Sequence, residues 1–303
     1  MRGPARERPA DGAVSMRDAV SAAAALLMMA GVRSPEADAR ALAAYVLGQD
    51  SLVLATAPPA DAAFLARYAE VVQRRRRRAP LQHIIGWLAF RHLRLPSEPG
   101  TFVVRPETEE VAGAATEEAA AIAEAGREPV VVDLGTGSGA IALAVATEVL
   151  QARVHAVELS DAAFAAARRN IDAADAAIGR TIDLRQGDAT TAFADLDARV
   201  DVVVANPPYI PPDATPTDPE VRDHDPDLAL YGGGTDGLAV ARGVVAAAAR
   251  LLRPGGLFVM EHGDAQGPAV REAVAASGAF EPGVTRPDLT GRDRMVVARK
   301  RAP

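Results

Sequence analysis

Residues 130–146 read VVVDLGTGSGAIALAVA. The β-branched run at 130–134 predicts a buried strand, and Ala140 begins an apolar run typical of a packed helix. Glycines at 135, 137 and 139 allow the backbone between them to turn sharply and to approach a ligand without an intervening Cβ. Strands and helices continue to alternate towards the C-terminus, which predicts an α/β domain with a doubly wound parallel sheet. Such sheets bind ligands at the carboxyl ends of their strands, so the glycine turn marks a candidate site.

The residues of this turn indicate which ligand it holds. Gly135, Gly137 and Ala140 satisfy the dinucleotide fingerprint, so an NAD-dependent oxidoreductase stays open. Asp133, however, places a carboxylate just before the first glycine, where it repels a pyrophosphate and attracts a cation. S-adenosylmethionine carries a sulfonium and an ammonium group and fits that charge better. We therefore expect this cofactor to be bound by Asp133, Gly135, Thr136, Gly137, Ser138 and Gly139.

Two later strands supply carboxylates for the remainder of an adenosyl cofactor. The strand 153–158 ends at Glu158, near the spacing of ~20 residues from the glycines that is typical of a ribose-binding acid. The strand 181–187 leads into Asp188, which we expect to accept a hydrogen bond from the adenine amino group. Each carboxylate also has a plainer interpretation, Glu158 as a solvated strand end and Asp188 as a turn residue.

A second motif, Asn206-Pro207-Pro208-Tyr209, follows the apolar strand 200–205. The two prolines remove two N–H donors and fix two φ angles, which leaves a stiff turn that presents acceptors. We expect the Asn206 side-chain oxygen and the Pro207 carbonyl to accept the two hydrogens of a planar –NH₂ group, with Tyr209 packed against its face. An ordinary strand-to-loop turn is the alternative, since Asn-Pro and Pro-Pro are common turn dipeptides.

The chain before the sheet is organised differently. Residues 1–15 are rich in Pro, Arg and Gly without periodicity and are expected to be a disordered tail. Residues 16–85 are predicted to form a small helical domain. Its apolar run 19–30 leads into a new helix start at Ser34-Pro35, which favours a packed helix over a signal peptide. The arginines at 74–78 end a helix and are typical of a solvated helix terminus, with contact to an acidic or RNA-bearing partner as the alternative.

The remaining boundaries follow from composition. Residues 86–105 are predicted to be a hairpin linker in which 87–90 pairs with 101–104, and residues 106–303 form the α/β domain. The C-terminal run 294–299 is typical of an edge strand.

Composition excludes several classes of protein and site. The chain has no cysteine, which excludes disulfides, thiolate zinc sites and a cysteine nucleophile. The formal net charge of −7 argues against a general nucleic-acid-binding surface. No apolar stretch reaches the ~20 residues of a membrane span. His155 and His262 are expected to be structural, and no histidine spacing suggests a metal site.

The quoted segments together resemble the bacterial release factor glutamine methyltransferases, the HemK/PrmC type. The resemblance is carried by residues 132–143 and 206–210, and by Arg105–Glu109, 218–230, and Glu261–Gly263 with Gln266-Gly267. It spans about residues 16–300, including the helical domain. It implies a class I S-adenosylmethionine-dependent methyltransferase fold, which is Rossmann-like, mostly parallel and antiparallel at its C-terminal edge strand. A small all-helical domain that recognises the substrate precedes that fold.

The resemblance also implies an activity. Family members transfer a methyl group from S-adenosylmethionine to the side-chain nitrogen of the glutamine in the Gly-Gly-Gln motif of class I peptide chain release factors. A cytoplasmic monomer with no metal, no membrane association and no stable DNA binding is expected. This chain has Ala189 where members often carry an aromatic residue after the adenine-side acid, which weakens stacking on the adenine. Asn-Pro-Pro-Tyr is shared with adenine N6-methyltransferases, so a nucleic-acid methyltransferase stays open, as does a non-catalytic S-adenosylmethionine-binding module of the translation machinery.

Overall fold

The computed structural model describes residues 14–178 and 182–302, and for residues 175–178 it describes the backbone alone. Most of the expected tail 1–15 and the first residue of the predicted strand 181–187 lie outside the described residues. The chain forms two compact units. One contains the residues up to Gly86 together with Asp218–His224, and the other contains Trp87–Thr217 together with the residues from Asp225 onward.

The first unit is helical. Its helices are α1 Met16–Met29, α2 Pro35–Val46, α3 Ala62–Arg76, α4 Leu81–Ile85 and, from the later segment, α8 Pro219–His224. Side chains from α1, α2 and α3 form one apolar core around Leu27, Leu42 and Phe64. The packed helix expected at 19–30 is therefore confirmed, because one face of α1 is buried in that core.

The arginine run at the end of α3 differs from the expected solvated terminus. Arg75 is only 7% exposed, and both Arg75 and Arg78 form ion pairs with Glu220 of α8. The expectation is wrong for these two residues, because acidic partners from a distant part of the chain bury them. Arg74, Arg76 and Arg77 are exposed, as a solvated helix end requires.

The second unit is an α/β layer structure. From residue 108 onward, its helices and strands are α5 Thr108–Glu124, β3 Val130–Leu134, α6 Ala140–Glu148, β4 Arg153–Glu158, α7 Asp161–Ile178, β5 Asp183–Gln186, β6 Val200–Ala205, α9 Asp227–Leu230, α10 Ala239–Leu251, β7 Leu252–Glu261, α11 Gly267–Ala276, β8 Val284–Pro287 and β9 Asp293–Arg299. Seven strands form one sheet in the order β5-β4-β3-β6-β7-β9-β8. Pairings from β5 to β7 are parallel, and β9 is antiparallel to β7 and β8. The predicted fold class is confirmed. The C-terminal run 294–299 is antiparallel as expected, but the expectation that it forms the edge strand is wrong. β8, short and ending at Pro287, pairs on the outer side of β9 and takes the edge, a position that tolerates proline.

A hairpin precedes the sheet, but its pairing differs from the prediction. β1 Trp87–Phe90 pairs with β2 Leu93–Pro96, not with residues 101–104, which form no strand. The predicted pairing is wrong because a two-residue turn brings the nearer run into register first. Arg91 takes φ 50° in that turn without the Asn-Gly or Asp-Gly signal that would have revealed it.

Apolar layers cover both faces of the sheet. Helices α5, α6 and α7 contribute to the core on one face, and α10 and α11 contribute to the core on the other. The chain runs from β3 outward to β4 and β5 and then crosses to β6 on the opposite side of β3. This reversal opens a crevice at the carboxyl ends of β3 and β6, the position where doubly wound sheets bind ligands.

Candidate active site

The two sequence motifs meet in this crevice. Leu134 of β3 is in register with Ala205 of β6, so Gly135 and Asn206 follow paired residues on adjacent strands. The predicted cofactor turn and the predicted amide receptor thus lie side by side at one edge of the sheet. Neither motif by itself shows this proximity, because about 70 residues separate them in the sequence.

The glycine turn is built by backbone geometry. Gly135, Gly137 and Gly139 take φ values of 79°, 59° and 84°, which side chains with a Cβ rarely adopt. The N–H groups of Gly135 and Thr136 donate to the Val157 carbonyl at 3.0 and 2.9 Å, which ties the turn to β4. A Cβ added at Gly135 or Gly137 would meet nothing within 4 Å, so the surface beside the turn is open to a ligand.

Asp133 is fully buried beneath the turn. Its Oδ2 accepts hydrogen bonds from Thr136 Oγ1 at 2.5 Å and from Ala142 N at 3.2 Å. Its Oδ1 has no partner within the described residues. Burial raises the pKa of Asp133 to about 7, and the negative charge of Glu158 adds to the effect. A buried acceptor without a donor is costly, so this oxygen fits the ammonium group of S-adenosylmethionine.

Glu158, at the end of β4, is hydrogen-bonded to the same turn. Its Oε2 accepts from Gly137 N at 2.8 Å and its Oε1 accepts from Ser160 N at 2.8 Å. Only 8% of the residue is exposed, so it is not a solvated strand end, and burial raises the pKa of Glu158. Each carboxylate oxygen keeps a second lone pair that can accept a hydrogen bond from a ligand.

Asp188 lies beyond β5 at the same edge of the sheet, and it is exposed. Its Oδ1 accepts from Thr190 N at 2.7 Å, the turn contact that the plainer interpretation describes. Ala189 is half-buried and packs against the core between β6 and α10. The proposed contact of Asp188 with adenine stays a prediction.

Asn206 is held by residues from two other elements. Asn206 Nδ2 donates to Thr108 Oγ1 at 3.2 Å, and Thr108 Oγ1 donates to Glu261 Oε2 at 2.7 Å. Thr108 begins α5 and Glu261 ends β7, next to β6 in the sheet. Because its nitrogen is engaged by Thr108, the Asn206 carbonyl oxygen is directed away and can accept a hydrogen bond.

The backbone of Asn-Pro-Pro-Tyr is fixed by its neighbours. Gln266 Nε2 donates to the Tyr209 carbonyl at 2.8 Å, and Gln266 Oε1 accepts from Gly263 N at 2.9 Å. A Cβ at Gly232 would lie 2.4 Å from the Pro208 carbonyl oxygen, and one at Gly237 would lie 2.4 Å from the Tyr209 carbonyl oxygen. Only glycine fits at both positions, so the motif is rigid.

Tyr209 is half-buried. Burial, followed by the charge of Glu261, raises the pKa of Tyr209, so the phenol stays neutral. The two histidines have structural partners: His155 Nδ1 lies 2.9 Å from Asp183 Oδ2 and His262 Nδ1 lies 2.8 Å from the Gly263 carbonyl. Within residues 14–178 and 182–302, no cluster of His, Cys, Asp or Glu is arranged to hold a metal ion.

Two family models match parts of this chain. Residues 18–86 match the model of the PrmC N-terminal domain, and residues 119–218 match that of the methyltransferase small domain. The release factor glutamine methyltransferase of Streptomyces coelicolor is 51% identical over 94% of this chain and 98% of its own length. That of Mycobacterium tuberculosis H37Rv is 42% identical over 94% of this chain and 91% of its own length.

The chain belongs to the release factor glutamine methyltransferase family. Among solved structures, the catalytic domain of hMettl16 in complex with an RNA hairpin aligns with a TM-score of 0.51 at 14% identity, covering 67% of this chain and 73% of that one. At this identity the likeness concerns the fold alone. None of the described helices is both long enough and apolar enough to cross a membrane.

Several site residues had no role assigned from the sequence. Thr108 and Glu261 lie in segments that carry the family resemblance, but the contacts of Thr108 with Asn206 and with Glu261 depend on the tertiary structure. Gln266, Gly232 and Gly237 are likewise far from the motif that they fix. A carboxylate directly after the apolar run 257–260 is the sequence signal that could have singled out Glu261.

Proposed function

We propose that this protein transfers the methyl group of S-adenosylmethionine to the side-chain nitrogen of the glutamine in the Gly-Gly-Gln motif of class I peptide chain release factors. The observation that carries the proposal is that Asn206, whose side-chain nitrogen donates to Thr108 and leaves its carbonyl oxygen to accept, follows the strand next to the glycine turn. The names of the relatives, which are 40–51% identical over most of the chain, support the substrate.

The receptor suits a primary amide. The Asn206 carbonyl oxygen and the Pro207 carbonyl accept the two N–H groups of the substrate, and Pro208 and Tyr209 enclose its plane. An amide nitrogen is a poor nucleophile because its lone pair is delocalised, so holding it in line with the methyl group is the main task. Orientation of this kind contributes up to ~7–11 kcal/mol in favourable cases.

The same acceptors stabilise the charge that develops. As the nitrogen is alkylated it becomes positive, and two carbonyl oxygens directed at its hydrogens stabilise that charge. The N-protonated product is strongly acidic, so its proton passes to water without a dedicated base. This agrees with the structural roles of His155 and His262.

Bound S-adenosylmethionine supplies the methyl group. Asp133, with its unpartnered Oδ1, would hold the ammonium group, and Glu158 would hold the ribose hydroxyls. Asp188 would accept from the adenine amino group, and the open surface at Gly135 and Gly137 admits the cofactor. No metal takes part in this scheme. A release factor substrate implies a cytoplasmic enzyme, which we propose to act as a monomer without stable DNA binding.

A labelling experiment tests the proposal. Purified protein is incubated with methyl-labelled S-adenosylmethionine and, in parallel, with a class I release factor, the same factor carrying Ala in place of the motif glutamine, and bulk DNA. Mass spectrometry maps the label. We expect label on the glutamine of the intact factor alone. Label on adenine would replace this proposal with the base-flipping alternative, and no label on any of them would leave a cofactor-binding module.

A further inference from the structure

A line of three hydrogen-bonded side chains runs inward from the proposed amide receptor. Asn206, Thr108 and Glu261 come from different elements, yet the contacts between them are 3.2 and 2.7 Å. Thr108 is 0% exposed and Glu261 is 1% exposed, so water does not compete for these groups. Glu261 Oε1 has no partner within the described residues, which is unusual for a group that serves packing alone.

The number of hydrogen atoms available in this line determines which group donates in each hydrogen bond. An ionised carboxylate only accepts, and a threonine hydroxyl has one hydrogen to give. That hydrogen goes to Glu261, so Thr108 can only accept from Asn206. Of the two ends of the Asn206 amide, only the –NH₂ group donates. A flipped amide would put its carbonyl oxygen against the Thr108 oxygen with no hydrogen between them.

We propose that Thr108 and Glu261 are positioning residues that hold the Asn206 amide with its carbonyl oxygen towards the substrate glutamine. This inference rests on the proposed function, because it assigns Asn206 the role of acceptor for the substrate –NH₂ group. Neither positioning residue touches the reacting atoms. They act through Asn206, because they exclude the orientation in which its –NH₂ group would face the –NH₂ group of the substrate glutamine.

The protonation state of Glu261 controls this orientation. Burial raises the pKa of Glu261 to about 7, and the charged or titratable groups facing it are Arg294, Glu107 and Tyr209. A protonated Glu261 can donate to Thr108, which frees the threonine hydrogen for the Asn206 carbonyl oxygen. The amide then flips and loses its acceptor. The rate should therefore fall as the pH falls through about 7.

Substitutions at Thr108 test the positioning role. Thr108→Val keeps the shape of the side chain but removes the hydroxyl, and we expect kcat to fall about 10²-fold, as for other small misplacements of a reactive group. Thr108→Ser restores the hydroxyl and should restore most of kcat. The matched control is Thr116→Val, a buried threonine of α5 whose hydroxyl donates at 2.8 Å only to the Ala112 carbonyl. Its kcat should equal that of the wild type.

A pH profile of kcat at saturating S-adenosylmethionine separates positioning from packing. The wild-type rate should rise through about pH 7, and Glu261→Gln should give a lower rate with no such rise. Calorimetry and thermal melting should show cofactor binding and folding intact in each variant. A wild-type rate and pH profile in Thr108→Val would overturn the inference, as would equal losses in Thr108→Val and Thr116→Val. Absence of glutamine labelling by the wild type would instead overturn the proposed function.

Discussion

Arg75 donates a hydrogen bond to Glu220 at 2.6 Å, although 145 residues separate them in the sequence. The same guanidinium donates to Asp38 at 2.6 Å, and Arg78 also pairs with Glu220. Residues 218–224 follow Asn-Pro-Pro-Tyr in the chain but pack with the helical unit, and the chain then returns to the α/β unit at Asp225. Residues 218–224 are therefore anchored within the helical unit by an arginine of α3.

Arg75→Met should destabilise the helical unit. It leaves the carboxylates of Asp38 and Glu220 without this buried partner, and breaking one side of a buried ion pair typically costs about 3–5 kcal/mol. Urea unfolding followed by circular dichroism measures the loss. Arg76→Met, at an exposed position of the same run, is the control and should change the free energy of unfolding by no more than about 0.5 kcal/mol. Equal effects of the two substitutions would contradict the anchor.

The ion pairs of Glu220 with Arg75 and Arg78 should stabilise the helical unit less at acidic pH. Burial alone would raise the pKa of Glu220, yet hydrogen bonds from Arg78 and Arg75 hold that pKa well below its usual range. A lowered pKa in the folded state stabilises the fold above the unfolded value, about 4.3 for a glutamate, and this contribution is lost as the pH falls below it. Glu220→Gln should therefore flatten the acid limb of a stability–pH curve. An unchanged acid limb would contradict the assignment.

Asn206→Ala should abolish methyl transfer while leaving the affinity for S-adenosylmethionine within a few-fold. Loss of one group that stabilises developing charge typically lowers kcat by about 10²–10³-fold. Single-turnover transfer to a release factor measures the rate, and calorimetry measures the cofactor affinity. Near-normal turnover would remove Asn206 from the proposed mechanism.

Two substitutions at Tyr209 distinguish stacking on the substrate amide from hydrogen bonding by the hydroxyl. Tyr209→Ala removes the aromatic face proposed to lie on the amide plane, so KM for the release factor should rise and kcat should fall together. Tyr209→Phe keeps the ring and removes only the hydroxyl, so it should stay close to the wild type. If the Phe variant were as impaired as the Ala variant, the hydroxyl and its proximity to Glu261 would be the important feature.

Asp133→Asn should have opposite effects on folding and on binding. Because burial raises the pKa of Asp133 to about 7, its ionisation opposes folding increasingly as the pH rises towards that value. The Asn variant should therefore melt at a higher temperature than the wild type at pH 8 without cofactor. Its affinity for S-adenosylmethionine should be weaker and should lack the increase with pH through about 7 that the wild-type carboxylate gives. A melting temperature and an affinity that fall together would indicate a purely structural aspartate.

The elements around the cofactor turn were predictable because their signals are local. A β-branched run, glycines that take positive φ and an apolar helix occupy consecutive residues, and the structure has β3, the turn and α6 in that order. The hairpin pairing was not predictable in the same way. Its two-residue turn at Arg91 lacks the usual glycine, so the sequence did not favour residues 93–96 over the more distant residues 101–104 as the partner of 87–90.

The sequence by itself determined the strands and turns that carry the acids, the amide and the glycines, because these depend on residue type and periodicity over short spans. Only the tertiary structure decided that Thr108 meets both Asn206 and Glu261 and that Glu220 meets Arg75. Those contacts arise from strand order and from the packing of segments more than 90 residues apart, which no local pattern encodes. The direction of the hydrogen bonds that join Asn206, Thr108 and Glu261 is therefore fixed only when the tertiary structure brings three separate elements together.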